Sequence, residues 1–164
     1  MDKCIYELAE SLGLLLQTKE WQLALAESCT GGGISQAVTE VPGSSAWFDR
    51  GFVTYSNAAK EDMLGVQTLT LERFGAVSEE TALEMVMGAL AHSQANLAVA
   101  VTGIAGPGGG TREKPVGTVY IACQKRGDQG VCFKRLFTGN RQLIRQQVIM
   151  FSLQLLQEQA ARLS

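Results

Sequence analysis

Long apolar runs are missing from this chain of 164 residues. None approaches the roughly 18 to 20 residues that a membrane-spanning helix needs. The beginning, Asp2-Lys3-Cys4 ahead of an interrupted apolar pattern, also lacks the form of an export signal, so a cytoplasmic protein without a membrane segment is expected. No charge sign prevails: 14 Lys and Arg against 16 Asp and Glu leave a formal charge of -2. Without a basic field to neutralise phosphates, nucleic acid is not an expected partner. The 4 cysteines, Cys4, Cys29, Cys123 and Cys132, form no CxxC pair, and His92 is the single histidine. With no HExxH either, a metal centre is not expected, and the cysteines are expected as free thiols in a reducing compartment.

What is present is ample material for one core: 46% hydrophobic against 18% charged residues, read as a single globular domain over residues 1–164. Ile5, Leu8, Ala9, Leu12, Leu15 and Leu16 recur at helical spacing. A strand from Trp21 to Ala26 follows, then a helix to about Glu40, stopped by Val41-Pro42-Gly43. Ala46 to Tyr55 reads as a second strand, interrupted by Asp49-Arg50-Gly51. Ser56 and Asn57 are cap candidates for a helix to about Leu64, ended near Gly65, and a short helical segment spans Leu69 to Phe74. Ser78 with Glu79 and Glu80 starts a helix to His92, and Asn96 to Thr102 reads as a buried strand. Val116–Gln124 and Val131–Phe137 form a hairpin, and a helix from Asn140 or Arg141 to Arg162 closes the chain. This order predicts an α/β fold, a mixed β-sheet sandwiched by helices.

Ligands in open α/β sheets bind beyond the carboxyl ends of the strands, where three loops can converge. The first is Glu27-Ser28-Cys29-Thr30-Gly31-Gly32-Gly33. Ser28 reads as a nucleophile or positioning hydroxyl, with the N–H groups of Thr30, Gly31 and Gly32 available to an oxyanion. The same residues also make an ordinary helix cap and tight turn. In the second loop, Thr54 to Lys60, a lysine near a helix start has its charged form disfavoured by the dipole and by any burial, which suits a general base, with the Tyr55 hydroxyl as a relay. A solvated surface lysine is the plainer reading. The third, Thr102-Gly103 through Gly110, has neither the Lys-Ser/Thr pair of a P-loop nor a regular GxGxxG register, and reads as a backbone wall or a surface turn. Arg141 and Arg145, four apart, share a helix face and can clamp an anion or simply be exposed. Cys29 is a rival nucleophile whose only possible imidazole base is His92.

Across nearly its whole length the chain resembles the CinA C-terminal domain family, in particular its stand-alone nicotinamide-nucleotide amidohydrolases. The shared motifs are Ala26-Glu27-Ser28-Cys29-Thr30-Gly31-Gly32, Pro42-Gly43-Ser44-Ser45, Gly51-Phe52-Val53-Thr54-Tyr55-Ser56-Asn57 with Lys60, Gly75-Ala76-Val77-Ser78, Thr102-Gly103-Ile104-Ala105-Gly106-Pro107-Gly108-Gly109 and Lys114-Pro115-Val116-Gly117-Thr118-Val119. The resemblance implies hydrolysis of the carboxamide of nicotinamide mononucleotide to nicotinate mononucleotide and ammonia, a cofactor-free step of NAD recycling. It maps serine–lysine chemistry onto Ser28 and Lys60, with Tyr55 assisting. Carboxamide or oxyanion contacts fall to Thr30, Gly31 and Thr102, with Gly32, Ser45 and Gly103 in the substrate-binding set. The substrate phosphate falls to Arg145, helped by Arg141. Ser44 and Ser45 are rival nucleophiles. A nucleotide-binding or regulatory module without turnover is the alternative function, and a homo-oligomer, a dimer first, is the expected assembly.

Overall fold

The computed structural model describes residues 2–162. Helix α1 (Lys3–Lys19) leads into β1 (Leu23–Glu27) and α2 (Gly33–Thr39), and a 3-10 turn (Ser44–Ala46) precedes β2 (Phe48–Val53). Then come α3 (Asn57–Leu64), α4 (Thr68–Phe74), α5 (Glu79–Ala91), β3 (Leu97–Gly103), β4 (Thr118–Lys125), β5 (Val131–Leu136) and α6 (Arg141–Ala161). The strands form one sheet in the order β2-β1-β3-β4-β5. β1 runs parallel to both β2 and β3, whereas β4 is antiparallel to β3 and to β5. The α/β class and the mixed sheet between helices are therefore as the sequence pattern predicts. The interrupted second strand is shorter than the expected Ala46 to Tyr55: Ala46 closes the 3-10 turn, pairing begins at Phe48 and the strand ends at Val53.

Strand periodicity divides the interior into two layers of different character. Leu23, Leu25, Leu97, Val99, Val101, Val119 and Ile121 face α1, α2 and α6, packing against Leu12, Leu16, Ile34, Ile144 and Leu153. The alternate positions, Ala24, Ala26, Ala98, Ala100 and Ala122, face α3 and α5, meeting Leu64, Met85, Val86 and Ala89. Alanine on that face lets α5 approach the sheet closely. Gly88 extends the same economy: a Cβ there would collide with the Leu64 carbonyl, so α3 ends directly on α5.

Caps set the element ends with ordinary chemistry. Ser56 Oγ accepts from Ala59 N–H to start α3, Gly65 closes it in the left-handed region at φ 70°, and Ser78 Oγ accepts from Thr81 N–H to start α5. Among the described residues no helix is long and apolar enough to cross a membrane.

Candidate active site

β1 lies between β2 and β3, with α2 covering one face and α3 and α5 the other. The carboxyl ends of these parallel strands therefore open a crevice where the connections diverge. Continuing the alternation past the end of β1 assigns the next two side chains to opposite layers. Glu27 falls on the face of Leu23 and Leu25, under α2; Ser28 falls on the face of Ala24 and Ala26, toward α3. Ser28 N–H still donates to Val101 O at 3.1 Å, after which the chain leaves the ladder.

On that side Ser28 meets Lys60. The Nζ of Lys60 lies 3.0 Å from Ser28 Oγ, and donates to Thr54 O at 3.0 Å and Tyr55 O at 3.3 Å. Lys60 is 1% exposed, and burial holds its pKa below the ordinary lysine value of 10.5. A neutral amine has two N–H bonds and one lone pair. With both carbonyls accepting an N–H, the lone pair of neutral Lys60 is left for the Ser28 hydroxyl proton. The lysine is thus a buried partner of the serine, and the solvated reading does not hold.

A cavity of about 290 Å³ opens over this pair. Of the residues expected at the site, Ser28, Tyr55, Lys60, Thr102, Gly103 and Arg141 line it. Thr102 donates its hydroxyl to Ala76 O at 2.8 Å, tying the loop before α5 to β3. Gly103 is close-packed: a Cβ would collide with Thr118 O and Val119. Arg141 spans the mouth, donating to Gly106 O at 2.7 Å and to the Tyr55 hydroxyl at 3.1 Å.

Several expected roles change here. The Tyr55 hydroxyl accepts from Arg141 at the cavity mouth, and the bond this residue makes to Lys60 is through its carbonyl. Thr30 is fully buried and donates its hydroxyl to Glu27 Oε1 at 2.7 Å, away from the cavity. Gly31 N–H is taken by Ser28 O at 3.0 Å. Gly31 and Gly32, at φ 57° and 98°, serve the turn into α2 by adopting left-handed backbone that side chains disfavour. Arg145 stands behind the loop, its Nε donating to Cys29 O at 3.2 Å and Nη2 to Thr30 O at 2.9 Å, and does not line the cavity. Ser44 and Ser45 precede Trp47, whose carbonyl accepts from Leu23 N–H. They therefore sit at the amino end of β1, the opposite end of the strand from Ser28.

The rival thiol is disfavoured by its surroundings. Burial pushes the Cys29 pKa up to about 12, which keeps it protonated, and His92 follows α5 at the amino end of β3, its Nδ1 2.8 Å from Gly88 O. The Cys29 N–H, by contrast, makes no hydrogen bond to another residue among those described, and Cys29 lines the cavity. Glu27 is the residue whose importance composition hides. A carboxylate ending an apolar strand is the signal, and its four hydrogen bonds give the reason it tolerates burial.

The family model for the CinA C-terminal domain matches residues 5–160. A nicotinamide-nucleotide amidohydrolase PncC from Enterobacter agglomerans is 51% identical over 153 residues, covering 93% of each chain. The protein of that name from Escherichia coli K12 is 46% identical over 158 residues, 96% of each. Among solved structures, the competence/damage inducible protein CihA from Agrobacterium tumefaciens superposes with a TM-score of 0.95 at 48% identity, over 99% of this chain and 98% of that one.

Proposed function

The chain belongs to the CinA C-terminal domain family, and from that premise we propose that it hydrolyses the carboxamide of nicotinamide mononucleotide to nicotinate mononucleotide and ammonia, with Ser28 as nucleophile and Lys60 as base. The reading treats the chain as one amidohydrolase domain, which the family match over residues 5–160 supports. The observation that carries the mechanism is the buried 3.0 Å contact between Lys60 Nζ and Ser28 Oγ at the floor of a cavity. Lys60 takes the hydroxyl proton as Oγ attacks the amide carbon. The carbonyl oxygen of the tetrahedral intermediate takes up the negative charge, for which the Cys29 N–H is the donor at hand. As the intermediate collapses, the carbon–nitrogen bond breaks and the Lys60 ammonium protonates the departing nitrogen, leaving ammonia and a Ser28 ester. Water then attacks that ester, giving a proton to Lys60, which returns it to Ser28 as the acid leaves.

Arg141 is the group suited to the substrate phosphate. Among the described residues two of the five guanidinium donors are engaged, with Gly106 O and the Tyr55 hydroxyl, which leaves others for an anion at the mouth. Incubating the purified protein with nicotinamide mononucleotide releases ammonia in proportion to nicotinate mononucleotide formed. Binding of the nucleotide without ammonia would instead mark a non-catalytic module and end this reading. Arg141→Ala raises KM for the mononucleotide by about 10-fold to 100-fold with little change in kcat, because a phosphate contact distant from the amide acts alike on ground and transition states. Steady-state kinetics check it, and a fall in kcat at constant KM would assign Arg141 elsewhere.

A further inference from the structure

The loop that carries Ser28 is gripped from both sides by charged groups that do not line the cavity. Inside, the fully buried Glu27 carboxylate accepts from Thr30 Oγ1 at 2.7 Å and Ile34 N–H at 2.8 Å on Oε1, and from Ser35 N–H at 2.9 Å and Ser35 Oγ at 2.7 Å on Oε2. The residue before α2 is Gly32, which has no side chain to cap it, so Glu27 reaches forward and satisfies the first turn. On the other side, α6 presents Arg145, which donates to the carbonyls of Cys29 and Thr30. Those carbonyls have left the β-ladder, whose last bond here is Ser28 N–H to Val101 O. The segment that sets the direction of the Ser28 side chain and of the Cys29 N–H is therefore held between a carboxylate and a guanidinium.

We propose that Glu27 and Arg145 are positioning residues for the serine–lysine reaction, a two-sided clamp that fixes Ser28 and the Cys29 N–H against Lys60. This rests on the function proposed above. Ser28 is already bonded to Lys60 in the resting site, so the clamp's work is to keep Oγ and the oxyanion donor aligned as the tetrahedral intermediate forms. It also reassigns Arg145: its bonds organise the loop, and the phosphate is left to Arg141.

Glu27→Gln and Arg145→Met in the full chain test the clamp. The first keeps the shape but sets an amide NH2 against the Ser35 donors that a carboxylate oxygen accepts in the parent; the second removes both carbonyl contacts from a half-buried position and leaves the interior intact. The measurements are kcat and KM for nicotinamide mononucleotide well below the unfolding temperature, the rate of Ser28 phosphonylation by a fluorophosphonate, and the pH profile. Each variant is expected to lose about 100-fold in kcat, the scale set by ångström misplacement of reacting groups. KM changes by less than about 3-fold, because the phosphate contact at Arg141 remains. Ser28 labelling slows in step with kcat, and the ascending limb of the pH profile, set by Lys60, stays in place.

A role confined to capping would lower the unfolding temperature while kcat per folded molecule and labelling stayed at the parent rate, and that result overturns the clamp. So does an Arg145→Met variant whose KM rises at constant kcat, which would return Arg145 to the phosphate. If Glu27→Gln does not fold, Arg145→Met decides alone. A parent protein that neither turns over the nucleotide nor labels at Ser28 fails the proposed function and takes the clamp with it. A parent that does both, with unchanged variants, fails the clamp only.

Discussion

Lys60→Met abolishes measurable ammonia release from nicotinamide mononucleotide, a loss of at least about 1,000-fold, since the lysine acts as base in attack and as acid in leaving-group departure. Methionine retains most of the buried volume, so the α3 packing survives. The pH dependence of the parent carries the sign. Burial lowers the Lys60 pKa, so the catalytically competent neutral form grows as pH rises through that lowered value, and kcat/KM climbs with it and then levels. The same shift is a stability statement. Below the folded pKa the ammonium is charged in both states and the fold bears the full cost of burying it. Between that pKa and 10.5 the unfolded chain binds more protons, so stability rises with pH; above 10.5 the lysine is neutral in both states and the rise ends. The parent therefore gains stability relative to Lys60→Met across that window, as urea titrations at stepped pH measure. Equal slopes for the two proteins, or a kcat/KM limb unmoved from the ordinary lysine range, would show that Lys60 is not held neutral by its burial.

How much of this was legible beforehand follows from which features are local. The helix starts at Ser56 and Ser78 and the stop at Gly65 are written in neighbouring residues, and the structure has them where the cap chemistry predicts. The alternation of alanine with leucine in β1, and with leucine and valine in β3, is local too, and once the sheet order is known it carries Ser28 to α3 and Glu27 to α2 without further information. Lys60 required one tertiary fact: α3 leaves Asn57 and Ala58 exposed yet buries Lys60, because the carbonyls of Thr54 and Tyr55 turn back to receive the amine. Arg145 and Thr30 could not be assigned this way. Arginine at the start of a helix looks alike whether it faces a ligand or a neighbouring loop, and only the packing of α6 against the β1–α2 turn directs it to Cys29 O and Thr30 O. Ser45 entered through the shared motif Pro42-Gly43-Ser44-Ser45, which carries no information on place, and its connection lies at the amino ends of the strands, one β1 length away from Lys60.

Ser28→Ala carries the largest expected effect, about 10,000-fold or more in kcat, because it removes the group that forms the ester and leaves only binding and oxyanion contacts. Binding is expected to survive. The alanine keeps the backbone bond from residue 28 to Val101 O, and Arg141 and the glycine wall are untouched. Nicotinamide mononucleotide should then raise the unfolding temperature of Ser28→Ala as it does the parent's, by the stabilisation any ligand of the folded state confers, about 2.7 kcal/mol at a hundred times Kd. That pairing of lost turnover with retained stabilisation separates a missing nucleophile from a collapsed site. Rapid-quench mass spectrometry of the parent supplies the positive counterpart, a nicotinate-nucleotide ester on the peptide containing Ser28, absent from Ser28→Ala. Ser44→Ala provides the matching control at the far end of β1 and should release ammonia at the parent rate. If Ser28→Ala kept its turnover while Ser44→Ala lost it, attack by Ser28 would be excluded, and a 3.0 Å serine–lysine contact would have to be explained as packing alone.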